Sequence, residues 1–362
     1  MKTVKPAPWI LSIPEYIAGR SKEDIARQYG VTNPIKLASN ENPLGPSPRA
    51  LQAIEDAGHS SHLYPDPDAR ELKEAASRFF GCDPGNVIAA NGSDEIIDLI
   101  CRAYLTPGDE VIIPACTFSY YRIASLVCGA EAVRSPMKDH RIDVEGIRQR
   151  LSQRTKAIFL ANPNNPTGTY LDKDAVLSLL DFVPAEVLIV MDEAYAAFAR
   201  EKDFMSSVEL ALTLPNLVTV HTLSKSHGLA GLRVGFGIAS GPVMDDLLRI
   251  KPPFNVNSLA QKAGVAALSD TPFLEKTLTT TWAGLDCFYA AFEGLGLADI
   301  PSQTNFVLVR IGPRASIVYE ELLKRGIITR FMTNIGLDEF IRVSVGLPEE
   351  NRAFIRALTE VL

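Results

Sequence analysis

Thr222-Leu223-Ser224-Lys225-Ser226-His227-Gly228-Leu229-Ala230-Gly231-Leu232-Arg233 is the stretch around which this chain is arranged. Apolar runs flank it, Leu217 to Val220 before and Val234 to Ile238 after. Both read as buried strands of an α/β sheet. Lys225 then falls in a loop between two strands, where α/β proteins carry their chemistry. Its amine can form a Schiff base with a carbonyl. The hydroxyls of Thr222 and Ser224 and the planar fork of Arg233 suit a phosphate. A surface lysine in a Gly/Ser loop fits the segment equally well, so the decision passes to the rest of the chain.

The totals remove several classes. At 362 residues the length suggests about two domains. A net charge of −7 gives no basic face for nucleic acid. No apolar run reaches the ~18 residues of a membrane span, and the first six residues lack the apolar core of a signal peptide. The five cysteines are an odd number with no C-x-x-C pair, which fits reduced thiols in the cytoplasm. The histidines show no metal-ligand spacing, so no metal is expected. G-x-G-x-x-G, Walker and G-x-S-x-G motifs are absent, as are internal repeats.

Residues 1 to about 35 read as an irregular arm that packs on the smaller domain or on a partner subunit. Ser39-Asn40-Glu41-Asn42-Pro43-Leu44-Gly45-Pro46 is a polar turn fixed by proline and glycine. Tyr64 precedes Pro65 in a second stiff turn. A helix is expected from about Ala69 to Phe80, with Leu72, Ala75, Ala76 and Phe79 on its inner face. The strand Asn86 to Ala90 runs through Gly92-Ser93-Asp94 into a helix. Free N–H groups and the positive dipole end make such a turn an anion site, though a plain N-cap by Ser93 or Asp94 reads the same way. Strands at 110–113, 156–160 and 188–191 follow. They lead to Phe118, to Asn165 in Asn162-Pro163-Asn164-Asn165-Pro166-Thr167-Gly168, and to Asp192-Glu193-Ala194-Tyr195. An acid closing a buried strand costs free energy unless it has a partner; an N-cap to the next helix is the other reading of Asp192. After a hinge at 252–257 comes a long helical region from about Ser258 to Leu295. Strands at 305–310, 327–330 and 340–345, with helices near 315–325 and 349–361, form a smaller α+β domain that contributes Arg330 and Arg342.

Taken together the signals describe one ligand. Gly92, Ser93, Asp94, Thr222, Ser224 and Arg233 suit a phosphate; Phe118 suits a flat ring face; Asp192 suits a ring N–H; Asn165 and Tyr195 suit a ring oxygen; Lys225 suits an aldehyde. That inventory matches pyridoxal 5'-phosphate (PLP).

On the motifs quoted, the chain resembles the fold type I PLP-dependent aminotransferases of class II, from Tyr16 to the C-terminal helix. Within them it is most similar to the enzymes acting on histidinol phosphate. The resemblance implies a large domain at 36–255 with a mostly parallel seven-stranded sheet covered by helices, a small domain at 256–362 and an N-terminal arm at 1–35. It implies that Lys225 binds PLP covalently as an imine and moves a proton, that Asp192 keeps the ring nitrogen protonated, and that Asn165 and Tyr195 bond the ring oxygen. Phe118 would stack on the ring where the family often has tyrosine. Tyr64 would reach the phosphate in a neighbouring subunit, which implies a homodimer with shared sites. Arg342 would grip a substrate carboxylate, and Arg330, Tyr16 and Asn42 would bind substrate, the first two through its phosphate. The expected reaction passes an amino group from L-histidinol phosphate to 2-oxoglutarate in L-histidine biosynthesis. Aromatic aminotransferases and a threonine-phosphate decarboxylase of cobalamin synthesis share Lys225 and the phosphate cup. A PLP-binding regulator would carry a basic DNA-binding segment ahead of the fold, and residues 1–35 show none.

Overall fold

The computed structural model describes residues 4–13 and 19–362, the side chain of residue 334 aside. Seven strands form the main sheet. From edge to edge they are Val87–Asn91, Val234–Ala239, Leu217–Thr222, Leu188–Asp192, Thr155–Ala161, Glu110–Pro114 and Glu131–Ser135. All run parallel except Val234–Ala239, which is antiparallel to both neighbours. Apart from the edge strand Glu131–Ser135, their residues are mostly apolar on both faces because helices cover both faces. One geometric consequence organises everything else. The C-terminal ends of six strands and the start of the seventh lie along one edge of the sheet. Gly92, Ala115, Asn162, Glu193, Leu223 and Arg233 therefore leave the sheet on the same side.

The second unit is a four-stranded antiparallel sheet, ordered Ala298–Ile300, Phe306–Arg310, Leu337–Ser344, Arg330–Met332. Its core holds Leu285, Phe288, Phe292, Val307, Val309, Ile341, Val343 and Phe354. The expected single strand at 327–330 is two. Ile327–Ile328 pairs in parallel with Ile35–Lys36, while Arg330–Met332 pairs with Leu337–Ser344. Thr329 sits between the two pairings, so Arg330 opens a strand instead of ending one.

The helical region after the hinge is also two elements, Ser258–Leu268 and Thr271–Gly294. Pro272 sits in the first turn of the second, where its missing N–H costs nothing. The expected domain boundary after residue 255 precedes the Ser258–Leu268 helix. Ala260, Ala263 and Ala267 of that helix share a core with Leu72, Ala76 and Phe236 of the large unit. In the helix Arg70–Phe80, Leu72, Ala75 and Ala76 face the core as expected, and partly buried Phe80, not Phe79, completes that face. Phe79 is 41% exposed, while the Phe80 ring lies 4.3 Å from that of His221. The expected arm reaches the smaller unit through Lys22–Tyr29, where Ile25 packs with Leu323 and Ile328. No helix of the described residues is long and apolar enough to cross a membrane.

Candidate active site

A cavity of about 450 Å³ opens where that sheet edge meets the smaller unit. Among the described residues lining it are six cations, Lys225, Arg122, Arg134, Arg233, Arg330 and Arg342, against two acids, Asp94 and Asp192. The chain is acidic as a whole, so this concentration of positive charge marks a site for anions.

At one end the Ser93–Tyr104 helix begins. Its N-cap is Gly92, with φ of +85°, and no side chain caps it, so neither Ser93 nor Asp94 is spent as a cap. A Cβ on Gly92 would lie 2.5 Å from an Arg233 guanidinium nitrogen. The first turn of the helix, with its free N–H groups, and the guanidinium therefore face the same space. Arg233 donates to Asp94 Oδ2 at 2.9 Å and to Ser224 Oγ at 3.4 Å. Thr222 Oγ1 donates to Ser224 Oγ at 2.9 Å. Backbone N–H groups, two hydroxyls and a guanidinium together form a donor set suited to a phosphate.

Toward the middle, Asp192 closes its strand and is 5% exposed. Tyr121 donates its hydroxyl to Oδ2 at 2.7 Å, and the Ala194 N–H donates to Oδ1 at 3.0 Å. Neither donor is cationic, and burial pushes the Asp192 carboxyl up to about 6. A buried carboxylate served only by neutral donors fits a ligand that brings an N–H⁺. Lys225 Nζ donates to Ser39 O at 3.2 Å and lies 5.9 Å from the Tyr195 ring centroid. Burial, with Arg342 and Arg233 adding, pulls its amine down to about 8. Phe118 lines the cavity and meets Tyr121 edge to face at 5.5 Å. These residues fit the parts of PLP one by one.

On the far side, Arg330 and Arg342 are register partners on adjacent antiparallel strands, so both guanidiniums start from one face of the small sheet. Both line the cavity. Arg342 donates to Ala38 O at 2.7 Å and to Asn165 Oδ1 at 2.5 Å, and packs 5.0 Å over Phe306.

Two expected site residues stand elsewhere. Asn42 is not on the cavity wall. Its amide donates to Ser226 O at 3.1 Å and Thr277 Oγ1 at 3.2 Å, and its carbonyl accepts from the Leu44 N–H. It fastens its own loop to the Lys225 loop, and Ser39 and Asn40 are the residues that line the cavity. Tyr64 is 83% exposed, stacked on Phe254 at 4.7 Å, and does not line the cavity of its own chain. Tyr16 lies outside the described residues. Conversely, the motifs did not single out Tyr121, Arg122, Arg134 or Asn40 as site residues. Asn40 stood in a quoted stretch. Arg122 and Arg134 carry no sequence signal that separates them from ordinary surface arginines. No group of three or more His, Cys, Asp or Glu among the described residues is placed to hold a metal.

Comparison with known proteins agrees with this geometry. The family profile "Aminotransferase class I and II" matches residues 32–358. The chain is 42% identical over 354 residues to a histidinol-phosphate aminotransferase of Moorella thermoacetica, covering 98% of this chain and 92% of that protein. It is 40% identical over 350 residues to one of Geobacillus sp., covering 97% and 96%. The crystal structure of histidinol-phosphate aminotransferase from Sinorhizobium meliloti, in complex with pyridoxal-5'-phosphate, matches with a TM-score of 0.92 at 28% identity over 99% of this chain and 98% of that one. Thermus thermophilus aspartate aminotransferase, at 21% identity and a TM-score of 0.87, shares the fold. With its family profile, its sequence relatives and the lysine-bearing edge of its sheet in agreement, this chain belongs to the class I and II aminotransferases.

Proposed function

We propose that this aminotransferase holds PLP at Lys225 and moves an amino group from L-histidinol phosphate to 2-oxoglutarate in histidine biosynthesis. The observation that carries the substrate reading is the pairing of Arg330 and Arg342 on one face, both at the cavity. Two guanidiniums on one cavity wall suit an anion as ligand. A phosphate of the donor and a carboxylate of the acceptor are both such anions, and they take turns in a transamination. Named relatives at about 40% identity support the same donor.

Bound PLP supplies an aldehyde that couples to amines and a ring that accepts the electron pair left when the substrate carbon loses its proton. The chain supplies the rest. Arg233, the hydroxyls of Thr222 and Ser224, and the N–H groups at Ser93 and Asp94 would hold the cofactor phosphate. Asp192 would keep a ring nitrogen protonated, an ion pair that removes the cost of its own burial. Asn165 gives its carbonyl to Arg342, which leaves its NH₂ to donate toward a ring oxygen. Lys225, at about 8, can both hold and release a proton near neutrality. Phe118 would cover one ring face. The exposed Tyr64 would complete the phosphate site of a second copy of the chain, making the unit a homodimer. The five free cysteines support a reducing compartment, the cytoplasm.

The test is a half-reaction. The PLP-loaded protein is mixed with single amino donors and its visible absorbance followed. Rapid bleaching by L-histidinol phosphate and by L-glutamate, with a slow response to phenylalanine, is expected. Faster bleaching by phenylalanine or tyrosine would move the protein to the aromatic aminotransferases. Carbon dioxide released from threonine phosphate would make it a decarboxylase.

A further inference from the structure

One residue outside the expected site is held by four hydrogen bonds, one of them to Tyr195. Asn40 is 2% exposed and held at φ of +55°, a region asparagine tolerates better than most side chains. Its backbone carbonyl accepts from Asn305 Nδ2 at 3.0 Å. Its backbone N–H donates to Ser344 Oγ at 3.0 Å, Ser344 Oγ donates back to Asn40 Oδ1 at 2.8 Å, and Asn40 Nδ2 donates to the Tyr195 oxygen at 2.9 Å.

The polarity of this chain of bonds is set by its first link. A backbone N–H can only donate, so Ser344 Oγ must accept there and send its own proton elsewhere. The acceptor in reach is Asn40 Oδ1. Turning the Asn40 amide over would aim two N–H donors at Ser344 Oγ and leave the buried serine proton without an acceptor. The amide is therefore locked with its NH₂ toward Tyr195. The Tyr195 oxygen accepts from that NH₂, and its O–H cannot point back at a donor. The proton is directed into the cavity that Tyr195 lines.

We propose that Asn40, oriented by Ser344, is a positioning residue that fixes Tyr195 as a hydrogen-bond donor toward the ring oxygen of bound PLP. This rests on the PLP reading above. Ser344 shares a strand and, two residues apart, a face with Arg342. The same strand that presents the substrate-binding guanidinium thus sets the proton direction at the cofactor.

The test is a pH titration of the visible absorbance of the PLP-loaded protein. A donor to the ring oxygen competes for the lone pair that the imine proton otherwise shares, so losing it raises the titration midpoint. Asn40→Asp places an acceptor-only group against Tyr195 and turns its proton away from the cavity. The midpoint should rise by about one pH unit, the scale of a hydrogen bond to a charged group. The new carboxylate also acts through its charge, as do the Arg342, Asp192 and Asp94 groups near Tyr195 that all variants share. Asn40→Asp in a Tyr195→Phe background isolates that charge effect, and the rise there should be less than half as large. Equal rises in both backgrounds, or no rise in either, would overturn the proposal. Ser344→Ala, which frees the amide to turn, should raise the midpoint in the same direction when Tyr195 is present. An unmoved midpoint in that variant also counts against it. If the wild-type protein shows no visible band on adding PLP, the cofactor reading falls and takes this assignment with it. A normal wild-type titration with unmoved variants overturns the Asn40 role alone.

Discussion

Half-buried Lys225 and buried Asp192 are charges of opposite sign whose environments push both toward neutrality, one down to about 8 and the other up to about 6. Lys225→Ala should lose the visible cofactor band and slow transamination by at least about 10²-fold, the lower end for removal of a positioned acid–base group. Near-normal turnover without this lysine would end the mechanism. Asp192 makes a prediction about stability as well. Its carboxyl titrates at 3.8 when unfolded and near 6 in the fold, so the native state holds the extra proton between those values. The contribution is fully present below pH 3.8 and is lost as pH rises through 6. In the cofactor-free protein the stability of Asp192→Asn relative to wild type should improve by about 3 kcal/mol across that window. Chemical denaturation at pH 4 and pH 7 measures it, and adding PLP should shrink the difference. His221 and His227, pulled down by burial to about 3 and 4, act in the opposite direction over part of this range. Only the difference between variants isolates the aspartate. At this scale the sequence was informative where a residue type is rare in its setting, as with an acid closing an apolar strand. It marked Asn40 only as one of several polar residues in a fixed turn, because its part depends on Ser344 and Asn305, hundreds of positions away.

The strand Val234–Ala239, which follows Arg233, and the helix Ser93–Tyr104 meet beside the cavity, and glycine lets them touch. A Cβ on Gly235 would lie 2.4 Å from the Gly92 carbonyl carbon and 2.5 Å from the Ser93 nitrogen. Both neighbours are backbone, so relief requires moving the helix N-terminus. Gly235→Ala should cost about 1–3 kcal/mol and weaken PLP binding more than a surface substitution of equal destabilisation. Thermal melts with and without PLP check both parts. The helix and its glycine turn were legible from Asn91-Gly92-Ser93, since strand, glycine and apolar periodicity are local signals. The close approach of Gly235 was not, because nothing local distinguishes a glycine that fits a neighbour from one that merely sits in a strand. The split of 327–332 between two sheets was hidden for the same reason: pairing partners lie far away in sequence.

For the molecule as a whole, an exposed aromatic pair, Tyr64 on Phe254, stands outside its own cavity. If it completes the site of a second copy, Tyr64→Phe should leave the fold intact and raise the PLP dissociation constant by about 5- to 30-fold, the worth of one or two kcal/mol. Sedimentation should still report a dimer. A fully active monomer would refute the shared site. Six of the seven strands were readable because each buried strand announces itself as an apolar run; the edge strand Glu131–Ser135 is only partly buried and carries charged residues, so it gave no such signal. The strand order was not readable, because no strand carries the identity of its neighbours.

That order has a consequence during synthesis. Val87–Asn91 is made early, yet its one neighbour in the sheet is Val234–Ala239. At translation speeds of 5–20 residues per second this edge waits on the order of ten seconds for its partner. Throughout that interval the helix Ser93–Tyr104, which also packs on Val234–Ala239, lacks part of its seat. A ribosome stalled before the glycines of Val234–Ala239 would hold an unprotected hydrophobic edge, a natural client for chaperones.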